Sequence, residues 1–253
     1  MRHLILSTVL LAGIVAKPIN VDLLDNNFAQ QFVGSTLFNS IQNNNIEVFK
    51  PVINDIPEVV KNIYNHALLQ KAGLSIDVFS IAYKGYIKLQ EEGKITNEKL
   101  TICDFSKVSG EKRMYVVDPV NEKLVLQTLV AHGKNSGEAF ATSFGNENSS
   151  HKSSLGFYVT ETAYNGANGL SLHLNGMDNG FNDRAYDRAV VIHGADYVSE
   201  TMAETNGFIG RSFGCPAVAR NINGKLINEV KEGSCLFIYY PSENYLNKSK
   251  WLN

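Results

Sequence analysis

The sequence predicts a mainly β protein, a sandwich or barrel, preceded by a small helical region and so α+β overall. Three observations carry that expectation. Apolar residues recur at three- and four-residue steps between positions 57 and 91. From position 100 the period shortens to two and the side chains become β-branched and aromatic. Clusters of Gly, Asn, Asp and Ser then punctuate the chain at short intervals, which is the chemistry of turns.

Taken in order, Arg2 and His3 precede an apolar run over 4–15 that ends at Ala16, before Lys17 and Pro18. A short positive head, a brief apolar run and a small closing residue predict a secretory signal over 1–16, cleaved after Ala16. The run is shorter than the roughly 20 residues a membrane span needs, and no second run of that length follows. The mature chain is therefore expected to be secreted or periplasmic, with no membrane span. Residues 17–56 are rich in Asn and Gln without a sustained period and predict a linker or arm.

A helical region is expected over 57–99. Val59, Val60, Ile63, Tyr64, Ala67 and Leu68 share one helix face, Pro57 suits its first turn, and Gly73 breaks it. A second helix is expected over 75–91, with Ile76, Phe79, Ala82, Tyr83, Tyr86 and Ile87 inward and Gly93 at its end. Residues 100–241 form the expected β-rich domain, with strands at 114–117, 124–130, 155–160, 170–174, 189–192 and 236–240. The stretches around Cys103 and Cys235 also read as buried strands. Residues 118–121 and 164–169 read as hairpin connections, and helices are expected near 197–205 and 222–230. Residues 242–253 are left as a C-terminal tail.

A net charge of -2 without runs of like charge gives no footprint for nucleic acid. The glycine-rich 164–169 does not precede a helix, so it predicts no phosphate cradle. The histidines are scattered and none has zinc spacing, so neither metal nor cofactor is expected.

Three cysteines are an odd number, so in an exported chain at least one thiol has no partner in the chain. A disulfide between Cys103 and Cys235 stays open. Cys215 differs from both, because its neighbours are Gly214 and Pro216. Segment 190–195 (Val-Val-Ile-His-Gly-Ala) is strand-like and would present His193 at an exposed strand tip. A nucleophilic thiol needs a base, an open approach and donors for an oxyanion. His193 would supply the first, Gly214 clears the second, and backbone N–H groups over 213–215 would supply the third. From spacing alone, a buried structural cysteine beside a satisfied core histidine fits equally.

Other conspicuous residues read more plainly. His132 reads either as a turn histidine bonded to backbone or as a residue lining the cleft, His173 alternates along a strand, and His151 sits in a polar loop open to solvent. Asp183, Arg184, Asp187 and Arg188 read either as a solvated ion-pair cluster or as a polar rim. Phe157, Tyr158, Phe237, Tyr239 and Tyr240 lie at strand spacing and are expected in the core.

The chain resembles the murein L,D-transpeptidase catalytic domain family, with its YkuD-like fold. The resemblance is carried by His193-Gly194 and by Ser212, Phe213, Gly214 and Cys215, which match the family's His-Gly and Ser-x-Gly-Cys. Stretches 104–107, 131–137, 153–159 and 181–183 add to it, over about residues 57–240. The resemblance implies that Cys215 is acylated by a tetrapeptide stem of peptidoglycan whose third residue is a diamino acid, with release of D-alanine. A neighbouring stem's amine would then take the acyl group in a 3→3 cross-link. It implies that His193 is the base, that the Gly194 carbonyl orients its ring, and that Ser212 and Gly214 shape the oxyanion loop. Two departures stand out: Phe213 where many members have His or Lys, and Ala217 where many have Arg. Arg211 and Arg220 are the candidates to replace that charge, with Arg211 assigned to substrate binding. Hydrolysis at the same site, or wall binding without catalysis, are the competing readings.

Overall fold

The computed structural model describes residues 56–253. The expected signal over 1–16, and the expected arm except its last residue, lie outside the described residues. Helices α1 (Glu58–His66) and α2 (Ile76–Glu91) come first. Strands β1 (Leu100–Asp104), β2 (Met114–Asp118), β3 (Lys123–Thr128), β4 (Gly156–Gly166), β5 (Gly169–Gly176) and β6 (Val191–Ala195) follow. Helix α3 (Glu200–Asn206), strand β7 (Ala217–Ala219), helix α4 (Arg220–Val230), strand β8 (Cys235–Tyr239) and helix α5 (Glu243–Lys248) complete the order.

All eight strands belong to one sheet, ordered β3-β2-β1-β8-β4-β5-β6-β7. Its two ends nearly meet. The chain leaving β3 returns along β7, with bridges from Ala131 to Ala217 and from Gly133 to Ser212. The architecture is thus a near-barrel, the form a sheet takes when it hides its own edges. Strands β1, β2 and β8 are buried along their whole length and carry no alternation, and α2 packs over β1 and β8. At that contact the Phe157 and Phe237 rings stack at 4.2 Å. Gly85 of α2 lies directly over Phe157, so a Cβ at that position would fall 2.1 Å from the ring. Ser75 caps α2 by accepting the Val78 N–H.

The expected elements are present, with instructive differences. Strand β4 runs six residues past its expected end, because its outer half is a solvated hairpin arm with β5 rather than core. The expected loop at 164–169 is therefore mostly strand, turning only between Gly166 and Gly169. Cys103 pairs with Ile238, and Cys235 pairs with Leu100. Three residues of register separate the two thiols, roughly 10 Å along the strands, beyond disulfide reach; both are free.

Residues 242–253, expected as a tail, are instead folded into the core. The Tyr245 hydroxyl and Ser249 Oγ donate to buried Asp178, which also accepts the Phe157 N–H. Trp251 is buried and donates Nε1–H to the Met177 carbonyl. A single tryptophan at the chain end offers no period to read, so pattern alone does not reveal this docking. No helix among the described residues is long and apolar enough to cross a membrane.

Candidate active site

His193 is the central residue of β6, in register with Ser171 of β5 and Ala217 of β7. It is not at an exposed strand tip, as the sequence suggested, but almost fully buried. The reason is β7, a three-residue strand too short to leave a pattern, which covers that edge of β6. The ring's Nδ1 lies 3.2 Å from the Gly194 carbonyl oxygen. That acceptor fixes the proton on Nδ1 and leaves the Nε2 lone pair free. Burial lowers the imidazole's pKa; the Gly194 carbonyl opposes this and the nearby Arg220 charge adds to it. The ring is therefore neutral at pH 7. Gly194 itself has little room, since a Cβ there would lie 3.2 Å from the Arg220 Cα.

The Cys215 loop is laced to the sheet from below. The Ser212 N–H donates to the His132 carbonyl, and the Lys134 N–H donates to the Ser212 carbonyl. Ser212 Oγ donates to the Cys215 carbonyl at 2.6 Å and accepts the Gly214 N–H at 3.0 Å. Gly214 is at φ +120°, and a Cβ there would meet the Lys152 carbonyl oxygen at 2.8 Å. Only glycine fits both constraints. The same loop turns Phe213 outward to 67 % exposure. Its ring rests 4.6 Å from that of His151, and Lys134 Nζ lies 4.4 Å over its face. His151, expected to be solvated, is half-buried in this stack.

The Cys215 sulfur accepts the Val191 N–H at 3.5 Å and lies 3.8 Å from the Ala189 carbonyl oxygen, rather than bonding to the His193 ring. Val191 and His193 are two apart on β6, so the backbone N–H that holds the sulfur belongs to the strand that carries the imidazole. Ala189 reaches its position in the left-handed region, at φ +51°. Burial raises the thiol's pKa, while the Val191 N–H and the Arg188 charge lower it. Among the described residues, no acceptor meets the N–H groups of Phe213 or Cys215, whereas that of Gly214 is taken by Ser212.

The sequence pattern that defines the L,D-transpeptidase catalytic domain matches residues 70–239, most of the chain. The chain belongs to that family. Among solved structures it is similar to an L,D-transpeptidase from Mycobacterium smegmatis, at 13% identity and TM-score 0.35, over 56% of this chain and 59% of that one. It is also similar to the helical cell shape determining protein Pgp2 from Campylobacter jejuni, at 13% identity and TM-score 0.40, over 64% and 57%. An Enterococcus faecium L,D-transpeptidase matches at 13% identity and TM-score 0.33, over 56% and 50%. The chain thus spans less than two thirds of each of those chains. No curated relative matches it.

Of the residues singled out in this family member's sequence, His193 and Gly194 lie on β6, whose Val191 N–H holds the Cys215 sulfur, and Ser212, Phe213 and Gly214 lie on the loop that carries Cys215. The Arg211 guanidinium turns to the 134–138 loop, donating to the Gly137 carbonyl and pairing with Glu138 at 2.9 Å. Arg220 pairs with exposed Asp196 at 2.6 Å. Ala217 is buried in β7 against His193, with no space for the larger side chain many L,D-transpeptidases carry there.

The cation beside the thiol is Arg188. Its half-buried guanidinium donates to the Gly145 and Lys152 carbonyls and to Ser150 Oγ and Ser154 Oγ. Nη2 lies 3.3 Å from where a Gly214 Cβ would stand. Sequence reasoning grouped it with Arg184, which does pair with exposed Glu147 at 2.9 Å. Nothing in the run distinguishes the two arginines. His132 is fully buried, bonded through Nδ1 to Arg113 and through Nε2 to the Gly137 carbonyl. Among the described residues, no group of three His, Cys, Asp or Glu is arranged to hold a metal ion.

Proposed function

We propose that this protein is an exported cysteine acyltransferase, an L,D-transpeptidase acting on the stem peptides of peptidoglycan. The observation that carries the reading is a half-buried thiol held by the Val191 N–H of the strand that carries His193, whose neutral ring is held by Nδ1–H to the Gly194 carbonyl and leaves Nε2 free. Such an imidazole takes a thiol proton at Nε2 as sulfur attacks the carbonyl of the stem's third residue. The oxyanion that forms is met by the Cys215 and Phe213 N–H groups, which have no acceptor of their own. His193 returns the proton to the leaving amine, D-alanine departs, and a thioester remains on Cys215. An amine of a second stem attacks the thioester, His193 takes its extra proton, and the thiol is regenerated with a 3→3 cross-link formed.

The resting pair is a thiol and a neutral imidazole, so the proton moves only as the carbonyl is attacked. Export follows from the positive head and apolar run of residues 1–16. Incubating the purified protein with disaccharide-tetrapeptide and reading products by mass spectrometry tests the reaction. A cross-linked dimer with loss of one D-alanine is expected, absent with Cys215→Ala. Accumulation of tripeptide alone would assign hydrolysis instead, and unchanged substrate would refute catalysis on the wall. A carbapenem is expected to add its mass to Cys215.

A further inference from the structure

Three aromatic rings beside the site are not used by the chemistry above. The Tyr164 and His173 rings are parallel within 10° at 4.3 Å, and the His173 and Tyr186 rings lie 5.5 Å apart. The stack joins β4, β5 and the connection leading to β6. Its outer members are open, Tyr164 at 37% exposure and Tyr186 at 55%. Among the described residues, no hydrogen-bond partner engages either phenol hydroxyl or the His173 ring nitrogens, and none of the three rings is in an ion pair.

The position of the stack in the sheet is the second observation. Tyr164 pairs with Ser171 and Ser171 pairs with His193, while His173 pairs with Val191, whose N–H holds the Cys215 sulfur. Cross-strand partners share a face, so the Tyr164 and His173 rings stand on the same side of the sheet as the His193 imidazole. Tyr164 is two strand spacings from His193, roughly 10 Å.

We propose that Tyr164, His173 and Tyr186 form a binding platform for an N-acetylated hexosamine ring of the glycan strand, a reading that rests on the stem-peptide function above. Aromatic faces carry negative charge density and accept the C–H face of a pyranose, while free phenol and imidazole heads bond to hydroxyl and acetamido groups. An anionic ligand would call for a cation in the stack, and an aliphatic peptide segment would call for a pocket without polar heads; this surface has neither. The length also agrees. Three stem residues separate the sugar from the scissile carbonyl, and three extended residues reach about 10 Å. The sugar would lie on the rings as the third residue reaches Cys215.

Two measurements test the platform. Chitotetraose, a peptide-free N-acetylglucosamine oligomer, would be titrated into Cys215→Ala protein and into the same protein carrying Tyr186→Ala. Saccharide binding weakened about tenfold by the second change, at unchanged melting temperature, is expected. KM would then be compared for disaccharide-tetrapeptide and for the free tetrapeptide. Tyr186→Ala should raise the first about tenfold more than the second, with Tyr186→Phe in between. Saccharide binding lost in the variant, with no turnover of either peptide, would remove the transpeptidase reading and leave the platform standing. Turnover with equal KM for sugared and free peptides, and no chitotetraose binding, would overturn the platform and leave the enzyme. Equal loss of melting temperature and binding in both tyrosine variants would reduce the stack to a brace for the loop, and also overturn it.

Discussion

At the scale of single residues, the chemistry turns on which charge stands next to Cys215. The thiol is held above its ordinary pKa by burial, and the imidazole is held below its own, so the two do not form a resting ion pair. Arg188 is the fixed charge that favours thiolate as it develops, from beside Gly214. Alkylation of Cys215 by iodoacetamide, followed against pH, isolates this effect from any substrate. Arg188→Gln should shift the profile upward and slow alkylation at about pH 7.5 several-fold, because the charge that lowers the thiol's pKa is gone. Arg188→Lys keeps the charge but loses most of the four hydrogen bonds, and should recover part of the rate; equal rates in all three proteins would disprove the role. His193 makes a separate prediction. Catalysis needs its neutral form, and burial depresses its pKa, so the acid limb of kcat/KM should fall below the usual histidine value of about 6.5. An acid limb above that value would contradict a buried neutral base. His193→Ala should abolish the limb and cut the rate by about 10²–10⁴.

At the scale of elements, legibility followed periodicity. Helix α2 and strands β1, β2 and β8 declare themselves because burial on one or all faces leaves a regular apolar pattern. Strand β7 has only Ala, Val and Ala, too few residues for a period; it pairs with β6 and is bridged at Ala217 to Ala131. The missing strand is why His193 reads as a tip in sequence and is interior in the fold. Arg188 was illegible for a related reason: its partners are backbone carbonyls and hydroxyls of 145–154, which carry no complementary charge to find in a sequence. Gly85 and Gly214 show the reverse, glycines with a specific structural cause. Gly85→Ala would drive a methyl group into Phe157 at the α2–sheet contact and should cost about 1–3 kcal/mol in urea unfolding. Phe157→Leu in the same chain should restore part of that loss, since it vacates the space; an additive loss from the pair would show that the contact is not the cause.

At the scale of the whole molecule, the nucleophile loop is supported by the closure of the sheet, and the closure is supported by one buried polar cluster. Arg113 donates to the Val130 carbonyl and to His132 Nδ1, and its guanidinium stacks 4.5 Å from the Phe105 ring centre. His132 in turn holds the Gly137 carbonyl through its ring and the Ser212 N–H through its own carbonyl, so the segment that pairs with β7 is fixed from both sides. The sequence suggested a turn histidine bonded to backbone; His132 instead lies between the bridging residues Ala131 and Gly133. Its ring bonds to backbone only through Nε2, and faces through Nδ1 a charge 19 residues away and across the fold. Burial, with Arg113 beside it, lowers the His132 pKa to about 4. The unfolded chain has the ordinary value of about 6.5, so between those two values the unfolded state binds a proton that the folded state refuses. His132 therefore stabilises the fold fully above about pH 6.5, and that contribution is lost as pH falls toward about 4, by roughly 3 kcal/mol. Urea midpoints at pH 7 and pH 4.5 should separate more for the native sequence than for His132→Asn, whose amide oxygen accepts from Arg113 without titrating. The variant should be less stable at pH 7, yet its midpoint should move less on acidification. Equal shifts in both proteins would place the acid sensitivity elsewhere and leave the closure of the sheet indifferent to this histidine.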